Sequence, residues 1–139
     1  MAKACYFLDN IKDTVSGYNF GFLHIKAVDD AAHDRDADLR VALLERVDRM
    51  LDYLAKEIEI LANIQERKFL MVLTGDHTTP VALGDHSCDP VPFVIHGVGF
   101  DLGADNVKEF DELSCSLGSL GRFRGSEVMP LLKTISSSF

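Results

Sequence analysis

The sequence has no long apolar run. No stretch approaches the ~18–20 consecutive apolar residues of a membrane span, so a helical membrane protein is excluded. Basic residues are also scarce: 14 Lys and Arg stand against 22 Asp and Glu, for a net charge of −8. That balance excludes a nucleic-acid or anionic-membrane surface, because both need clustered cations. Only three cysteines occur, Cys5, Cys88 and Cys115. They are odd in number and form no CxxC pair, so reduced thiols in a cytoplasmic protein are the simplest account. Cys88 lies close to His86 and is kept as a candidate metal ligand. The start, MAKACYFLDNIKD, brings acidic residues before any apolar stretch, which is not a secretory layout. There is no internal repeat, no low-complexity segment beyond the serine tail at 136–138, and no linker. What is there is 139 residues, 47% of them hydrophobic. That is enough core for a single domain over 1–139, or for a piece of a larger one.

Periodicity organises this material into alternating strands and helices. Residues 5–16 read as a short helix with Phe7, Leu8 and Ile11 on one side and Gly17 as its stop. The aromatic-rich run Tyr18–Ile25 reads as a strand. Over 37–64, Leu43, Val47, Met50 or Leu51, Leu54, Ile58 and Leu61 recur at helical spacing, with Asp34 or Asp36 as cap. Opposite charges four apart, Glu45–Arg49 and Asp52–Lys56, fall on its solvent side. Phe69–Leu73 and Val91–Ile95 are short apolar runs bounded by Gly and Pro, the mark of buried strands. Strand, long helix, strand is a βαβ unit, whose strands run parallel. The expected fold is therefore α/β, a layered sandwich with a mainly parallel sheet and strands near 19–26, 69–74 and 91–95. A short helix over 110–117 and a last helix opened by residues 124–127 and ending near Ile135 complete it.

The chemistry-bearing residues gather where these strands end. Asp29 and His33 are spaced D-x3-H, so one helical turn or tight loop can aim both at one point. Asp76 and His77 are adjacent at the end of the 69–73 strand, and His86 lies beyond a short loop that can fold back. In open α/β sheets ligands bind at the carboxyl ends of strands. Three imidazoles and two carboxylates on one edge suit Zn²⁺ or Mn²⁺, and two such ions ~3.5–4 Å apart form a clamp for phosphoryl transfer. The bland alternative stays open at this point: Asp and His at loop starts are commonly solvated caps. Asp30, Asp34, Asp36, Asp38 and Asp85 are read that way, and His24 and His96 as structural. Gly118, Gly121 and Gly125 follow no strand and make no dinucleotide fingerprint. They bring Arg122 and Arg124 together near a helix start, a pair that could hold a phosphate or simply form a solvated turn beside Glu127.

Four segments in order, HIKAVDDAAHD at 24–34, LTGDHTTP at 73–80, HSCDPVPFVIHG at 86–97 and LGRFRGSEVMPLL at 120–132, resemble the archaeal type of cofactor-independent phosphoglycerate mutase. That family lies within the alkaline phosphatase superfamily, and the resemblance covers nearly the whole chain. It implies an alkaline phosphatase-like sheet and interconversion of 3-phosphoglycerate and 2-phosphoglycerate through a phosphoenzyme. It also implies divalent ions, Mn²⁺ or Zn²⁺ with Mg²⁺ or Co²⁺ as further candidates. One ion would be held by Asp29, His33 and His86 and the second by Asp76 and His77, with Lys26 near the substrate phosphate. Two departures stand out. Ala32 occupies a position where the family has Gly, and family members are much longer. Their N-terminal part supplies a further metal-binding Asp and the phosphorylated Ser or Thr. The chain therefore reads as the C-terminal portion, with no catalytic nucleophile of its own and no mutase turnover by itself. The alternatives are a portion of a related metal-dependent phosphatase or phosphodiesterase, or a non-catalytic remnant. Such a remnant would bind the missing N-terminal portion or another copy through an exposed sheet edge.

Overall fold

The computed structural model describes residues 2–13 and 17–138. Its elements run α1 (Ala2–Lys12), α2 (Ala27–His33), α3 (Ala37–Gln65), β1 (Phe69–Thr74), β2 (Phe93–Val98), α4 (Glu112–Cys115), a 3-10 turn (Gly125–Glu127) and α5 (Val128–Ser136). No helix among the described residues is long and apolar enough to cross a membrane.

The 29-residue helix α3 is the frame of the molecule. Asp36 caps its start, accepting a 2.9 Å bond from the Leu39 amide, and this fixes where the periodic apolar stripe begins. Glu66 ends it in a left-handed conformation, φ 51°, and the next amide, Arg67, bonds back to the Ala62 carbonyl at 3.1 Å. Along its inner face Met50, Leu54, Ile58, Leu61 and Ala62 are buried against Ala4, Leu8 and Ile11 of α1 and Val98 of β2. The expected apolar stripe is thus the core in its C-terminal half, while Leu43 and Val47 are only half-buried. Of the two expected charge pairs on the outer face, Asp52–Lys56 forms at 2.7 Å. The first helix, expected over 5–16, spans Ala2–Lys12 and has ended by Asp13; the expected residues 14–16 lie outside the described residues.

The sheet departs from expectation. It has two strands, and they are antiparallel: Phe69 faces Val98 and Thr74 faces Phe93. The second strand also starts two residues later than expected. The connection between the strands, residues 75–92, contains no helix. It therefore returns the chain as a long hairpin loop, where a parallel pair would need a crossover. The expected first strand is absent as a strand. Residues 20–26 carry neither helix nor ladder, and no backbone–backbone hydrogen bond involves residues 18–25 among the described residues; the His24 carbonyl accepts from the Lys3 ammonium at 3.1 Å. Aromatic residues favour strands only by packing against neighbours on a pleated surface. Here Tyr18, Phe20 and Phe22 are exposed, and among the described residues no strand is paired beside them. The βαβ parallel pairing is accordingly not found.

A candidate metal centre at one end of the hairpin

Three structural pieces meet at the loop end of the β1–β2 hairpin. The first is α2, which begins where the strand was expected to end. Because residues 27–33 are helical, Asp29 and His33 stand one turn apart on one face, and Asp29 sits in the first turn, where the helix dipole favours a carboxylate. Ala31 and Ala32 are fully buried beneath it, where α2 packs on α3. Ala32 is helical, with no positive φ, so a residue larger than Gly is accommodated there without backbone strain. The second piece is the strand end carrying Asp76 and His77. The third is the loop that folds back through the Thr78–Ser87 bridge and a turn closed by the Leu83 and Gly84 amides on the Pro80 carbonyl. That turn delivers His86.

The five expected side chains come together. The Asp29 Oδ1 atom is 3.4 Å from His33 Nε2, and 4.0 Å from both His77 Nδ1 and His86 Nε2. His33 Nε2 and His86 Nε2 are 3.1 Å apart, the His77 and His86 rings lie 3.7 Å centroid to centroid, and Asp76 Oδ2 is 3.4 Å from His77 Nε2. Ligands around a tetrahedral ion at ~2.0–2.1 Å stand about 3.3 Å from one another. The Asp29–His33–His86 separations bracket that value, so these atoms fit a divalent ion with little movement.

Two groupings compete. Asp29, His77 and His86 offer ligand atoms within 4.8 Å of one another, whereas the shortest distances favour Asp29, His33 and His86. The hydrogen bonds of the two rings differ. His33 Nδ1 is 3.1 Å from the Gly84 carbonyl, which can only accept, so the proton sits on Nδ1 and Nε2 offers its lone pair to the centre. His77 Nδ1 is instead engaged by the Thr79 hydroxyl at 3.2 Å, which leaves its Nε2 facing Asp76. His77 thus lies between Asp29, 4.0 Å from its Nδ1, and Asp76, 3.4 Å from its Nε2.

The electrostatics prepare Asp29 as a ligand. Its carboxyl is held down at about 2, chiefly by the hydrogen bond from Lys26 and then by that from Thr79, against an opposing desolvation. Lys26 in turn is pushed up to about 12, first by its hydrogen bond to Asp30 and then by that to Asp29. Its ammonium lies 2.9 Å from Asp30 and 3.0 Å from Asp29, and Asp30 itself is solvent-exposed. The loop is held from α3 and its approach: Arg40 donates to the Thr79 carbonyl at 2.7 Å and Arg35 to the Leu83 carbonyl at 3.1 Å. Gly84 adopts φ +66°, a conformation that glycine enters without the Cβ penalty, and its carbonyl thereby meets His33.

Other candidates fall outside the cluster. Arg122 and Arg124 are exposed and make no hydrogen bond or ion pair with it among the described residues. The Arg124 backbone amide donates to Glu127 at 2.7 Å. Phe123 between them packs edge-on to Phe93 at 5.1 Å, which keeps this segment at the same end of the hairpin. His24, expected to be structural within a strand, instead stands 3.8 Å from Asp76 with its side chain half exposed. Thr79, Arg40 and Arg35 were not singled out from the sequence. A threonine two residues after a histidine and arginines on a helix approach carry no pattern of their own. Cys88 is exposed and unpaired with other cysteines.

An α/β chain that brings carboxylate and imidazole groups together beyond a strand end carries the donor set of divalent-metal proteins. It belongs to the Metalloenzyme superfamily, whose family model matches residues 2–134; membership implies divalent metal ions. The chain is similar to a protein of Methanococcus maripaludis strain C7 named 2,3-bisphosphoglycerate-independent phosphoglycerate mutase, with 38% identity over 137 residues. A protein of the same name from Pyrococcus horikoshii is 38% identical over 132 residues. These alignments cover 99% and 95% of this chain but 31% and 29% of the relatives, so the chain spans less than a third of their length. A solved structure of a Pyrococcus horikoshii protein matches with a TM-score of 0.79 at 39% identity, over 94% of this chain and 36% of that one.

Proposed function

We propose that this chain is the metal-binding C-terminal portion of a cytoplasmic 2,3-bisphosphoglycerate-independent phosphoglycerate mutase. Residues 1–139 act as one domain, and the substrates are 3- and 2-phosphoglycerate. The observation that carries the reading is the convergence of His33, His77 and His86 on Asp29 Oδ1 at 3.4–4.0 Å. Asp29, His33 and His86 would hold one ion, and Asp76 and His77 would contribute to a second, with Mn²⁺ or Zn²⁺ suited to these donors. Bound there, such ions would supply neutralisation of a phosphate and activation of a hydroxyl nucleophile. The chain's own residues orient and charge the site. Asp29 stays ionised, the Gly84 carbonyl fixes His33, and the exposed Lys26 ammonium beside Asp29 would be the positive group for a substrate phosphate. Arg122 and Arg124 are further cations at that end of the hairpin. The nucleophile and the mainly parallel, alkaline phosphatase-like sheet belong to the complete enzyme, in which residues 18–26 would find a neighbouring strand.

Calorimetric titration of Mn²⁺ or Zn²⁺ into metal-stripped chain tests the site. One tight site is expected, lost in His86→Ala and surviving in His77→Ala, because two protein ligands rarely hold a divalent ion firmly against water. Tight binding that survives His86→Ala would contradict the assignment. The substrate is tested separately, with the chain joined to the remainder of a mutase. Turnover of phosphoglycerate is expected to exceed that of a generic aryl phosphate, and the reverse would favour a related phosphatase or phosphodiesterase.

The exposed aromatic segment favours a second, compatible reading, that the chain associates with another polypeptide. Tyr18, Phe20 and Phe22 are 66%, 57% and 79% exposed on backbone without a ladder partner, and unpaired extended segments recruit strands. Size-exclusion chromatography is expected to show self-association, or the chain to bind an apolar dye. A clean monomer with low dye binding would count against this reading.

A further inference from the structure

We infer that Thr79 is a positioning residue of this centre: its hydroxyl fixes the tautomer of His77 and the placement of Asp29, and so determines which imidazole nitrogen His77 presents to an ion. The inference rests on the metal-centre reading above. Thr79 is 3% exposed and is the one buried polar residue among the described residues. Its Oγ1 lies 2.8 Å from Asp29 Oδ1 and 3.2 Å from His77 Nδ1. A hydroxyl has one proton to give, and an ionised carboxylate can only accept. The shorter, charge-assisted bond to Asp29 takes that proton. His77 must then donate its Nδ1–H to the Thr79 oxygen, and in the neutral ring this leaves Nε2 bare.

Bare Nε2 faces Asp76 Oδ2 at 3.4 Å. Two acceptors opposed at that distance make a poor pair with each other and a good pair of ligands for a cation placed between them. Thr79 is itself held from α3, through the 2.7 Å bond of Arg40 to its carbonyl. The helix on which α2 packs therefore sets both Asp29 and the group that orients His77. Valine at this position keeps the shape, leaves Asp29 Oδ1 without its shortest hydrogen bond and frees His77 to change tautomer. Serine keeps the hydroxyl.

The test uses the 139-residue chain in three forms: wild type, Thr79→Val and Thr79→Ser. Nitrogen-15 imidazole NMR of the metal-free chain at about pH 8, where neutral histidine predominates, reads the tautomer; calorimetry with Mn²⁺ reads affinity. His77 is expected as the Nδ1–H tautomer in wild type and Thr79→Ser, and as Nε2–H in Thr79→Val. Mn²⁺ affinity is expected to fall about 10- to 100-fold in Thr79→Val, the range that outer-shell partners of ligands carry, and to recover in Thr79→Ser. An Nε2–H tautomer in wild type overturns the inference whether or not Thr79→Val folds. Unchanged tautomer and unchanged affinity in a folded Thr79→Val also overturn it, and leave the metal site standing. A wild-type chain that binds no Mn²⁺ but loses the Nδ1–H tautomer in Thr79→Val overturns the metal reading and supports the hydrogen-bond assignment.

Discussion

Replacing Asp29 by Asn is expected to abolish tight binding of Mn²⁺ or Zn²⁺ by the chain, with a loss of at least about 100-fold. Outer-shell partners alone carry about 10- to 100-fold, and Asp29 is the atom on which three imidazoles converge, at 3.4 and 4.0 Å. Asparagine keeps the size and can still accept the Thr79 bond, but it removes the negative charge that balances the ion. The same substitution has a signature without metal. The folded Asp29 carboxyl titrates at about 2, below its ordinary 3.8, chiefly because Lys26 donates to it and then because Thr79 does. A lowered folded value contributes stability above the unfolded value, and that stability is lost as pH falls through the folded one. Wild type is therefore expected to lose stability between about pH 4 and pH 2 more steeply than Asp29→Asn. Acid titration followed by circular dichroism checks this, and identical acid limbs would contradict it. Ion binding should fail at higher pH than this, as solutions are acidified through the imidazole range, since histidine ligands must be neutral. Calorimetry at several pH values reads that loss.

Leu8→Ala is expected to lower stability by about 2–5 kcal/mol, the cost of deleting a large buried side chain and leaving a cavity. Leu8 is 1% exposed, the largest fully buried side chain among the described residues, and it lies on α1 against the α3 stripe of Met50, Leu54 and Ile58. A small domain holds about 5–15 kcal/mol in total, so this one change removes a large share. Tyr6→Ala, two residues away and 74% exposed, is expected to change stability by no more than about 0.5 kcal/mol. Urea unfolding of both variants separates a docked α1 from one that merely lies alongside. Equal, small effects would mean that α1 is not part of the core.

The contrast between these helices and the sheet shows what local pattern can carry. The α3 stripe was legible because one helix supplies its own hydrogen bonds, so its period appears in the sequence regardless of what lies beyond it. A strand has no such independence. Tyr18–Ile25 has strand composition, yet it becomes a strand only where another backbone lies beside it, and no pattern internal to the segment reports that. The antiparallel β1–β2 pairing was missed for a related reason. The helix between two apolar runs suggested a crossover, while the register came from the later return of the 75–92 loop.

The site was more legible than the sheet because its chemistry is local. Asp29 and His33 meet by the four-residue spacing of one helical turn, and Asp76, His77 and His86 lie at the two ends of one loop. What could not be read was the layer behind them. Thr79 and Arg40 are 39 residues apart, Asp29 and Thr79 are 50 apart, and neither type marks a site by itself. These contacts exist only once α2 and the loop are both packed on α3.

The most direct test of the metal centre is zinc K-edge X-ray absorption on the chain loaded with one equivalent of Zn²⁺. A first shell of nitrogen and oxygen at about 2.0–2.1 Å is expected, with outer-shell scattering from two imidazoles, His33 and His86. A sulfur scatterer at about 2.3 Å, which would bring in the exposed Cys88, or a shell without imidazole would contradict it.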